Sequence, residues 1–271
     1  MKKKEFTNED VAFIRKRYIE DNESLSKIGN YFSVSKNVIK RILVEEEIPL
    51  RKKTTKYKQN TDIFEDINTL EKAYWLGFIA ADGCVYKNKE NSGTLTISIH
   101  RKDRAHLEHF CDFIGTERGI IDFVNDTGFG NNTSMSKISI YSTKLVDDLI
   151  DKGVHPNKSL VLKPPLIKEE FWKSYLLGYF DGDGSISRIQ GSRNFTFSIL
   201  GTKEILEWAK EILGLPETKI ETQRNICYIR CGGLEKPYKA LKNIYHENIY
   251  SLDRKKSLFK EVEKVVLDRN I

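Results

Sequence analysis

The chain of 271 residues lacks any apolar run near the ~20 residues that a membrane-spanning helix needs. Residues 1–6 do not form the apolar core of a signal peptide. Cysteine is scarce, and the four thiols form no Cys-x-x-Cys pair, which argues against a structural zinc site. These absences predict a cytoplasmic protein with reduced thiols.

Charge is uneven along the chain, whose net charge is +6. Residues 1–60 carry 15 Lys and Arg against nine Asp and Glu, whereas the remaining residues carry 30 of each. Clustered positive charge indicates a polyanionic partner, although a small surplus also serves solubility. The length predicts more than one domain, or one domain with an internal repeat.

One apolar stretch occurs twice. Residues 75–83 read Trp-Leu-Gly-Phe-Ile-Ala-Ala-Asp-Gly, and residues 176–184 read Leu-Leu-Gly-Tyr-Phe-Asp-Gly-Asp-Gly. Each ends abruptly in Asp-Gly, so Asp82 and Asp183 lie 101 residues apart. A single such stretch is typical of a buried helix with an acid at its exposed end. The duplication favours a functional interpretation.

Small residues are spaced four apart in both stretches, at Gly77 and Ala81 and at Gly178 and Gly182. This spacing places them on one face of a helix, where two backbones can approach closely. Helices packed through these faces bring the two acids together at one end. Two carboxylates ~4 Å apart repel by about 4 kcal/mol at an effective dielectric of 20, and divalent cations relieve this repulsion. The pattern predicts a metal site and a symmetric substrate.

Both stretches resemble the motif of LAGLIDADG homing endonucleases in their single-chain, two-motif form. The resemblance covers residues 70–265 and depends on the Gly-x-x-x-small spacing, the terminal Asp-Gly and the duplicated context. It implies an intron-encoded, monomeric, Mg²⁺-dependent DNA endonuclease, with Mn²⁺ as a substitute. Such an enzyme makes a double-strand break with short 3′ overhangs in a long double-stranded DNA target.

The resemblance also implies roles for individual residues. Asp82 and Asp183, with the backbone carbonyls of Ala81 and Gly182, are expected to hold the metal. A basic residue is expected beside each acid. The segment Lys158-Ser159-Leu160 is echoed by residues 256–258, so Lys158 and Lys256 are assigned this role, with Lys255 as the alternative.

The predicted fold class is α+β. Two pseudo-symmetric α-β-β-α-β-β-α repeats, at residues 70–168 and 169–271, form a saddle. Strand Thr94–His100 alternates apolar and polar residues, which is typical of a sheet with one wet face, and Asp103 is expected to cap the next helix. Wet-face residues suited to reading bases in a major groove are Ser98, His100, Lys137, Tyr141, Ser187, Thr196, Tyr228 and Arg230, with Arg193 in the hairpin turn.

Residues 1–48 resemble a helix-turn-helix domain, with Gly29 where two helices cross and Ser33 at a turn position usually held by glycine. Its second helix presents polar and basic side chains suited to DNA: Ser35, Lys36, Asn37, Lys40 and Arg41. The alternative is a structural three-helix bundle with a solvated basic face. Residues 49–69 are predicted to be a basic linker that follows DNA phosphates through Arg51, Lys52 and Lys53, or a plain tether.

Other functions stay open at this point. An RNA-splicing maturase or a non-cleaving DNA-binding regulator would use the same fold; the two retained acids argue against the regulator but not against the maturase. An intein carrying a nuclease is a further alternative. No Cys or Ser opens the chain and residues 268–271 contain no His-Asn, so a free-standing protein is expected.

Overall fold

The computed structural model describes residues 6–51, 57–89, 92–126, 132–245 and 250–269. They belong to two compact units, Met1–Lys56 and Tyr57–Ile271. Within these described ranges no helix has the length and apolar character required to cross a membrane. Lys52 and Lys53, two of the predicted phosphate contacts, lie outside the described residues.

The small unit contains three helices, α1 (Asn8–Ile19), α2 (Leu25–Tyr31) and α3 (Lys36–Glu45). Helix α1 begins at a capping box, in which the Thr7 hydroxyl accepts from the Asp10 amide and the Asp10 carboxylate accepts from the Thr7 amide. Apolar residues from all three helices form a core of their own: Ile14, Tyr18, Ile28, Ile39, Ile42, Leu43 and Ile48.

The turn between α2 and α3 depends on two residues that the sequence singles out. A Cβ atom on Gly29 would lie 2.6 Å from the Val34 carbonyl oxygen, so no side chain fits there. Ser33 has φ +54°, the left-handed conformation that glycine adopts most easily. The backbone thus makes the expected sharp turn even though serine replaces glycine.

The larger unit contains two repeats with the predicted order of elements. The first comprises α4 (Leu70–Asp82), β1 (Gly83–Lys87), β2 (Gly93–His100), α5 (Arg104–Ile114), β3 (Ile121–Asp126), β4 (Asn132–Tyr141) and α6 (Thr143–Asp151). The second comprises α7 (Trp172–Asp183), β5 (Gly184–Arg188), β6 (Phe195–Gly201), α8 (Lys203–Leu213), β7 (Ile220–Gln223), β8 (Ile226–Gly233) and α9 (Glu235–Ile244). A further helix, α10 (Asp253–Leu267), was not predicted.

Each repeat forms one four-stranded antiparallel sheet, in the order β1-β2-β4-β3 and β5-β6-β8-β7. Along β2 the residues Leu95, Ile97 and Ile99 are buried, while the residues between them are partly exposed. Strand β6 alternates in the same way. Each sheet therefore has one face on the core and one wet face, which confirms the predicted α+β fold class.

Helices α4 and α7 pack directly on each other at the centre of the larger unit. A Cβ atom on Gly77 would lie 1.9 Å from the carbonyl oxygen of Tyr175, and one on Gly178 would lie 1.9 Å from that of Tyr74. These contacts exchange under a shift of 101 residues, which is the signature of a two-fold pseudo-symmetry. Their backbones touch because neither glycine has a side chain.

The second half of the predicted linker belongs to the larger unit. Ile63, Phe64 and Ile67 are buried in the core that both repeats share. Basic composition predicted a solvated tether over residues 49–69, but the apolar side chains after residue 60 bury instead. At the other end of this segment, the Arg51 amide donates to the Tyr18 hydroxyl over 2.7 Å in the small unit.

Candidate functional site at the paired helix ends

The two acids emerge at the same end of the helix pair. Asp82 is the last residue of α4, and Asp183 is the last residue of α7. A Cβ atom on Gly182 would lie 2.3 Å from the Ala81 side chain and 3.3 Å from the carboxyl carbon of Asp82. The small residues therefore let the helix ends approach until each acid lies beside the other helix.

Burial and mutual repulsion disfavour ionisation of this pair. Burial, and then the charge of Asp183, raise the pKa of Asp82 to about 6, against opposition from nearby Lys255 and Lys158. Burial raises the pKa of Asp183 as well, and the same two lysines oppose it. The site is thus an acidic pair with two ammonium groups close by.

The structure corrects the assignment of the two lysines. The Lys158 ammonium donates to the Gly83 carbonyl, directly after Asp82, and the Lys255 ammonium donates to the Gly184 carbonyl, directly after Asp183. Lys255, and not Lys256, is therefore equivalent to Lys158. The sequence echo failed because Lys158 stands in a 3₁₀ turn and Lys255 in the first turn of α10, so the repeated tripeptide does not occupy equivalent positions in the two repeats.

Lys255 is 1% exposed and makes three hydrogen bonds. Its ammonium donates to the carbonyls of Phe180, Asp181 and Gly184 over 2.7, 2.8 and 2.6 Å. These carbonyls lie at the carboxyl end of α7, where the Phe180 carbonyl also accepts from the Gly184 amide and the later ones are beyond the last intrahelical donors. Burial lowers the pKa of Lys255 to about 8.

Asp181 stands where the first repeat has Ala80, and the sequence interpretation gave it a structural role. Its carboxylate accepts from the Tyr74 hydroxyl over 2.8 Å and from the Leu252 amide over 2.7 Å. His106 Nε2 bonds the same hydroxyl over 2.9 Å. The residue is buried, joins α7 to the first repeat and also lines the groove that contains Asp82.

Arg254 is a site residue that the sequence interpretation missed. Its Nε donates to both carboxylate oxygens of Asp103, over 3.0 and 3.2 Å, so Asp103 binds an arginine of the other repeat rather than capping α5 as predicted. Arg254 lines a groove together with Asp82 and lowers the pKa of that acid. The run of three basic residues at 254–256 is the feature of the sequence that could have indicated this role for Arg254.

Each acid opens into a groove beneath the wet face of its own sheet. The groove at Asp82 is about 410 Å³ and also contains Ser98 and His100. The groove at Asp183 is about 690 Å³ and also contains Tyr228 and Arg230. The acid pair is therefore continuous with the two surfaces that the sequence predicted to contact DNA.

The predicted residues of the first sheet lie on this wet face. Ser98 pairs in register with Lys137, whose ammonium lies 4.9 Å from the centre of the Phe123 ring. His100 is exposed at the strand end, and its Nδ1 accepts from the Lys102 amide. Tyr141 is exposed and lies under the Arg118 guanidinium, 4.5 Å from it.

The predicted residues of the second sheet lie on the corresponding face. Ser187 pairs with Thr196, and Arg193 lies in the turn between their strands. Tyr228 donates its hydroxyl to the Glu221 carboxylate over 2.8 Å, and the Arg230 guanidinium lies 5.2 Å from the Tyr228 ring centre.

The five residues predicted on the second helix of the helix-turn-helix lie at the start of α3 or within it. Ser35 is the N-cap residue of α3, and Lys36 and Asn37 follow in its first turn. Lys40 and Arg41 lie one turn later, with Arg41 3.5 Å from Glu45. Arg51 is committed to the small unit itself, since its guanidinium bonds the carbonyls of residues 22 and 23.

The donor set fits a hard divalent cation with few protein ligands. Within the part of the chain that the structure describes, no cluster of three or more His, Cys, Asp or Glu side chains is placed to hold a metal ion. The acid pair offers two carboxylates, and the last carbonyls of a helix are free of intrahelical donors. Mg²⁺ suits this set because it prefers oxygen ligands and keeps several waters.

Comparisons with known proteins identify the fold. No protein-family model matches the chain. RNA polymerase subunit Rpo1C of Methanocaldococcus jannaschii is 26% identical over 201 residues, which are 73% of this chain and 21% of that protein. The chain therefore spans about a fifth of this curated relative.

Solved structures of DNA-bound enzymes are similar to the chain. The homing endonuclease I-WcaI, bound to its DNA recognition sequence, has a TM-score of 0.53 and 16% identity, covering 76% of this chain and 93% of that one. The LAGLIDADG meganuclease I-AabMI, bound to uncleaved DNA, has a TM-score of 0.45 and 15% identity, covering 73% and 91%. The likeness to I-WcaI shows that the larger unit has the saddle fold of a homing endonuclease.

Proposed function

We propose that this protein is a site-specific, Mg²⁺-dependent endonuclease that makes a double-strand break in a long DNA target and leaves short 3′ overhangs. One observation carries the proposal: helices α4 and α7 deliver Asp82 and Asp183 to one end, and each acid opens into a groove under a wet sheet face. The pseudo-two-fold between the acids matches that of duplex DNA.

The acid pair has the chemistry that phosphodiester hydrolysis needs. Asp82 and Asp183, with the carbonyls of Ala81 and Gly182, would hold Mg²⁺, which supplies charge stabilisation and an activated water when bound. Mn²⁺ is expected to substitute. Each carboxylate serves one strand across the minor groove. The raised pKa of both acids means that a cation there stabilises the ionised pair.

The two lysines act beside the acids in different ways. Lys158 and Lys255 place positive charge next to both carboxylates and favour their ionised form. Because all three hydrogen-bonding directions of the Lys255 ammonium end on carbonyls, we assign it a positioning role at the end of α7. The Lys158 ammonium donates to one carbonyl, that of Gly83, and so keeps donor directions for another partner. It is therefore the better placed of the two lysines to contact phosphate.

DNA is contacted by wet-face side chains of both sheets and by α3 of the small unit. Hydrogen-bonding residues such as Ser98, Thr196 and Arg230 would read base edges, whereas Lys36 and Arg41 would bind phosphates. The phosphate contacts position the protein, and the sheets provide specificity.

The test uses a target selected by cleavage of a randomised duplex library in Mg²⁺. Asp82→Asn and Asp183→Asn should each abolish double-strand cleavage while keeping affinity for that target close to wild type. The substitution preserves side-chain size and removes one of two repelling charges, so the fold is retained. Cleavage is followed on supercoiled plasmid, where nicked and linear products separate.

Asp151→Asn is the matched control, because Asp151 is an exposed acid at the end of α6 outside the site. It should cut at the wild-type rate. A variant of Asp82 or Asp183 that still linearises plasmid at that rate removes the acid from the mechanism. Tight binding of the wild type without cleavage in either metal would instead identify a DNA-binding regulator.

A further inference from the structure

The two sheets are equivalent strand for strand, but they differ in chemistry beside the acids. The glycine after each acid fixes the register, since it pairs with Ile97 in the first sheet and with Ile199 in the second. One residue further along the central strand stand Ser98 and Leu200, both on the wet face. A polar position in one half is therefore apolar in the other.

On the neighbouring strand, an ammonium group in the first sheet has a phenol as its counterpart in the second, while the next wet-face position is apolar in both sheets, with Met135 and Ile226. Ser98 pairs with Lys137 in the first sheet, and Leu200 pairs with Tyr228 in the second. Ile226, two residues before Tyr228, is on the same face. Leu200 is 43% exposed and Ile226 is 53% exposed, so both present apolar surface to whatever binds the wet face.

This apolar surface lies inside a basic groove. Leu200 and Ile226 line the groove at Asp183 together with Arg224 and Arg230. The guanidinium groups in this groove favour binding of a polyanion. The two apolar side chains beside Asp183 favour a polyanion that carries apolar groups close to the phosphate that reacts. DNA has one such group in the major groove, the 5-methyl group of thymine.

We propose that Leu200 and Ile226 select pyrimidine 5-methyl groups, and hence thymine, at the base pairs nearest the cut in the half-site bound by the second repeat. This inference rests on the proposed function. A strand advances ~3.3 Å per residue and DNA ~3.4 Å per base pair, so wet-face residues two apart contact bases about two pairs apart. Ser198 and Arg230 form the next pair on the wet face, and they then face bases further from the cut.

The experiment measures the affinity of the full-length protein, without divalent metal, for its selected target. Thymines at the three innermost base pairs of that half-site are replaced one at a time by uracil, which deletes only the methyl group. Wild type should lose about fourfold in affinity per contacted methyl, the fold-change expected for uncovering one such group. Leu200→Ser, which installs the residue of the first sheet, should lose the preference for thymine at the base pair that Leu200 contacts and keep it at the base pair that Ile226 contacts.

Two controls separate the contact from general effects. Leu166→Ser removes another exposed leucine, which lines a different surface groove, and should keep the wild-type preference for thymine. Cytosine at a contacted position lacks the methyl group, and binding there should be weaker. Replacing that cytosine by 5-methylcytosine should restore the affinity and so identify the methyl group itself as the contact.

Equal affinity of wild type for thymine and uracil at all three positions overturns this inference, as does a selected half-site without thymine there. Either result leaves DNA binding and cleavage intact. Failure to bind or cut any duplex would instead overturn the proposed function. Since the uracil series uses wild-type protein, the inference is tested even if Leu200→Ser does not fold.

Discussion

At the scale of single residues, Lys255 is the buried cation that closes the carboxyl end of α7. Removing its ammonium would leave the Asp181 and Gly184 carbonyls without this donor in a region with little access to water, whereas the Phe180 carbonyl would keep the Gly184 amide. Lys256, the next residue of the same helix, is partly exposed. The neighbouring pair therefore offers a matched comparison.

We expect Lys255→Met to lower the free energy of unfolding by about 2 kcal/mol or more, since each of the two unsatisfied buried acceptors costs about 1–3 kcal/mol. Lys256→Met should change it by less than about 0.5 kcal/mol, as surface substitutions do. Urea unfolding followed by circular dichroism measures both. Equal effects would mean that the carbonyls of α7 are satisfied in another way.

The acids, their supporting small residues and the wet-face positions follow from the sequence because each depends on local spacing. The choice between Lys255 and Lys256 does not. It depends on whether the backbone enters a 3₁₀ turn or an α-helix, and a repeated tripeptide cannot distinguish these. The bond between Arg254 and Asp103 joins residues 151 apart, so no local pattern predicts it.

At the scale of elements, the contact between α4 and α7 is the most demanding in the structure. A methyl group on Gly77 would overlap the Tyr175 carbonyl oxygen, which is backbone and cannot rotate away. Gly119 has open space around the position of a Cβ atom and an ordinary φ. The same substitution, glycine to alanine, therefore meets backbone atoms at residue 77 and empty space at residue 119.

Gly77→Ala is expected to destabilise the protein by about 1–3 kcal/mol or more, because the helices must separate to admit the methyl group. Gly119→Ala should be neutral or stabilising by up to about 1 kcal/mol, since it only restricts the unfolded chain. The midpoints of urea unfolding measure both changes, provided that the dependence of the unfolding free energy on urea concentration is the same in all three proteins. A Gly77→Ala protein as stable as wild type would show that the helix pair is looser than its geometry indicates.

Most elements of the larger unit are predictable from alternation and capping, as β2 and α8 show. Helix α10 is not, because its apolar stripe is weak: its two buried residues are Lys255 and Val262. A helix whose inner face carries a lysine resembles a solvated segment in sequence. Residues 57–69 were assigned to the linker for the related reason that basic residues before them dominate the composition.

At the scale of the whole molecule, the two units have separate cores. The small unit buries its own apolar residues, and the core of the larger unit is shared by both repeats. Removal of the small unit should therefore leave the larger one folded. Separation of the two repeats should not, since α4 and α7 would each lose the partner that buries them.

Deletion of residues 1–56 is expected to weaken binding to the selected target and to flatten the dependence of log affinity on log salt, by ~0.9 for each phosphate that the protein no longer neutralises. Fluorescence anisotropy over a salt series measures both quantities. In the intact protein, the double variant Lys36→Ala with Arg41→Ala should weaken the affinity and flatten the salt dependence, each by less than the deletion does. Lys16→Ala on α1 should change neither quantity. Unchanged affinity and slope after the deletion would give the small unit a role other than DNA binding.

The hydrogen bond between Tyr74 and Asp181 makes the two halves non-interchangeable. Tyr175 and Ala80 hold the corresponding positions, and an alanine methyl accepts no hydrogen bond. A protein assembled from two copies of the first repeat would place both tyrosine hydroxyls opposite alanines and leave each with His106 of its own repeat, whereas the natural chain adds a carboxylate to one. The asymmetry therefore favours the joining of unlike halves, because only the second repeat offers Tyr74 a carboxylate in place of an alanine methyl group.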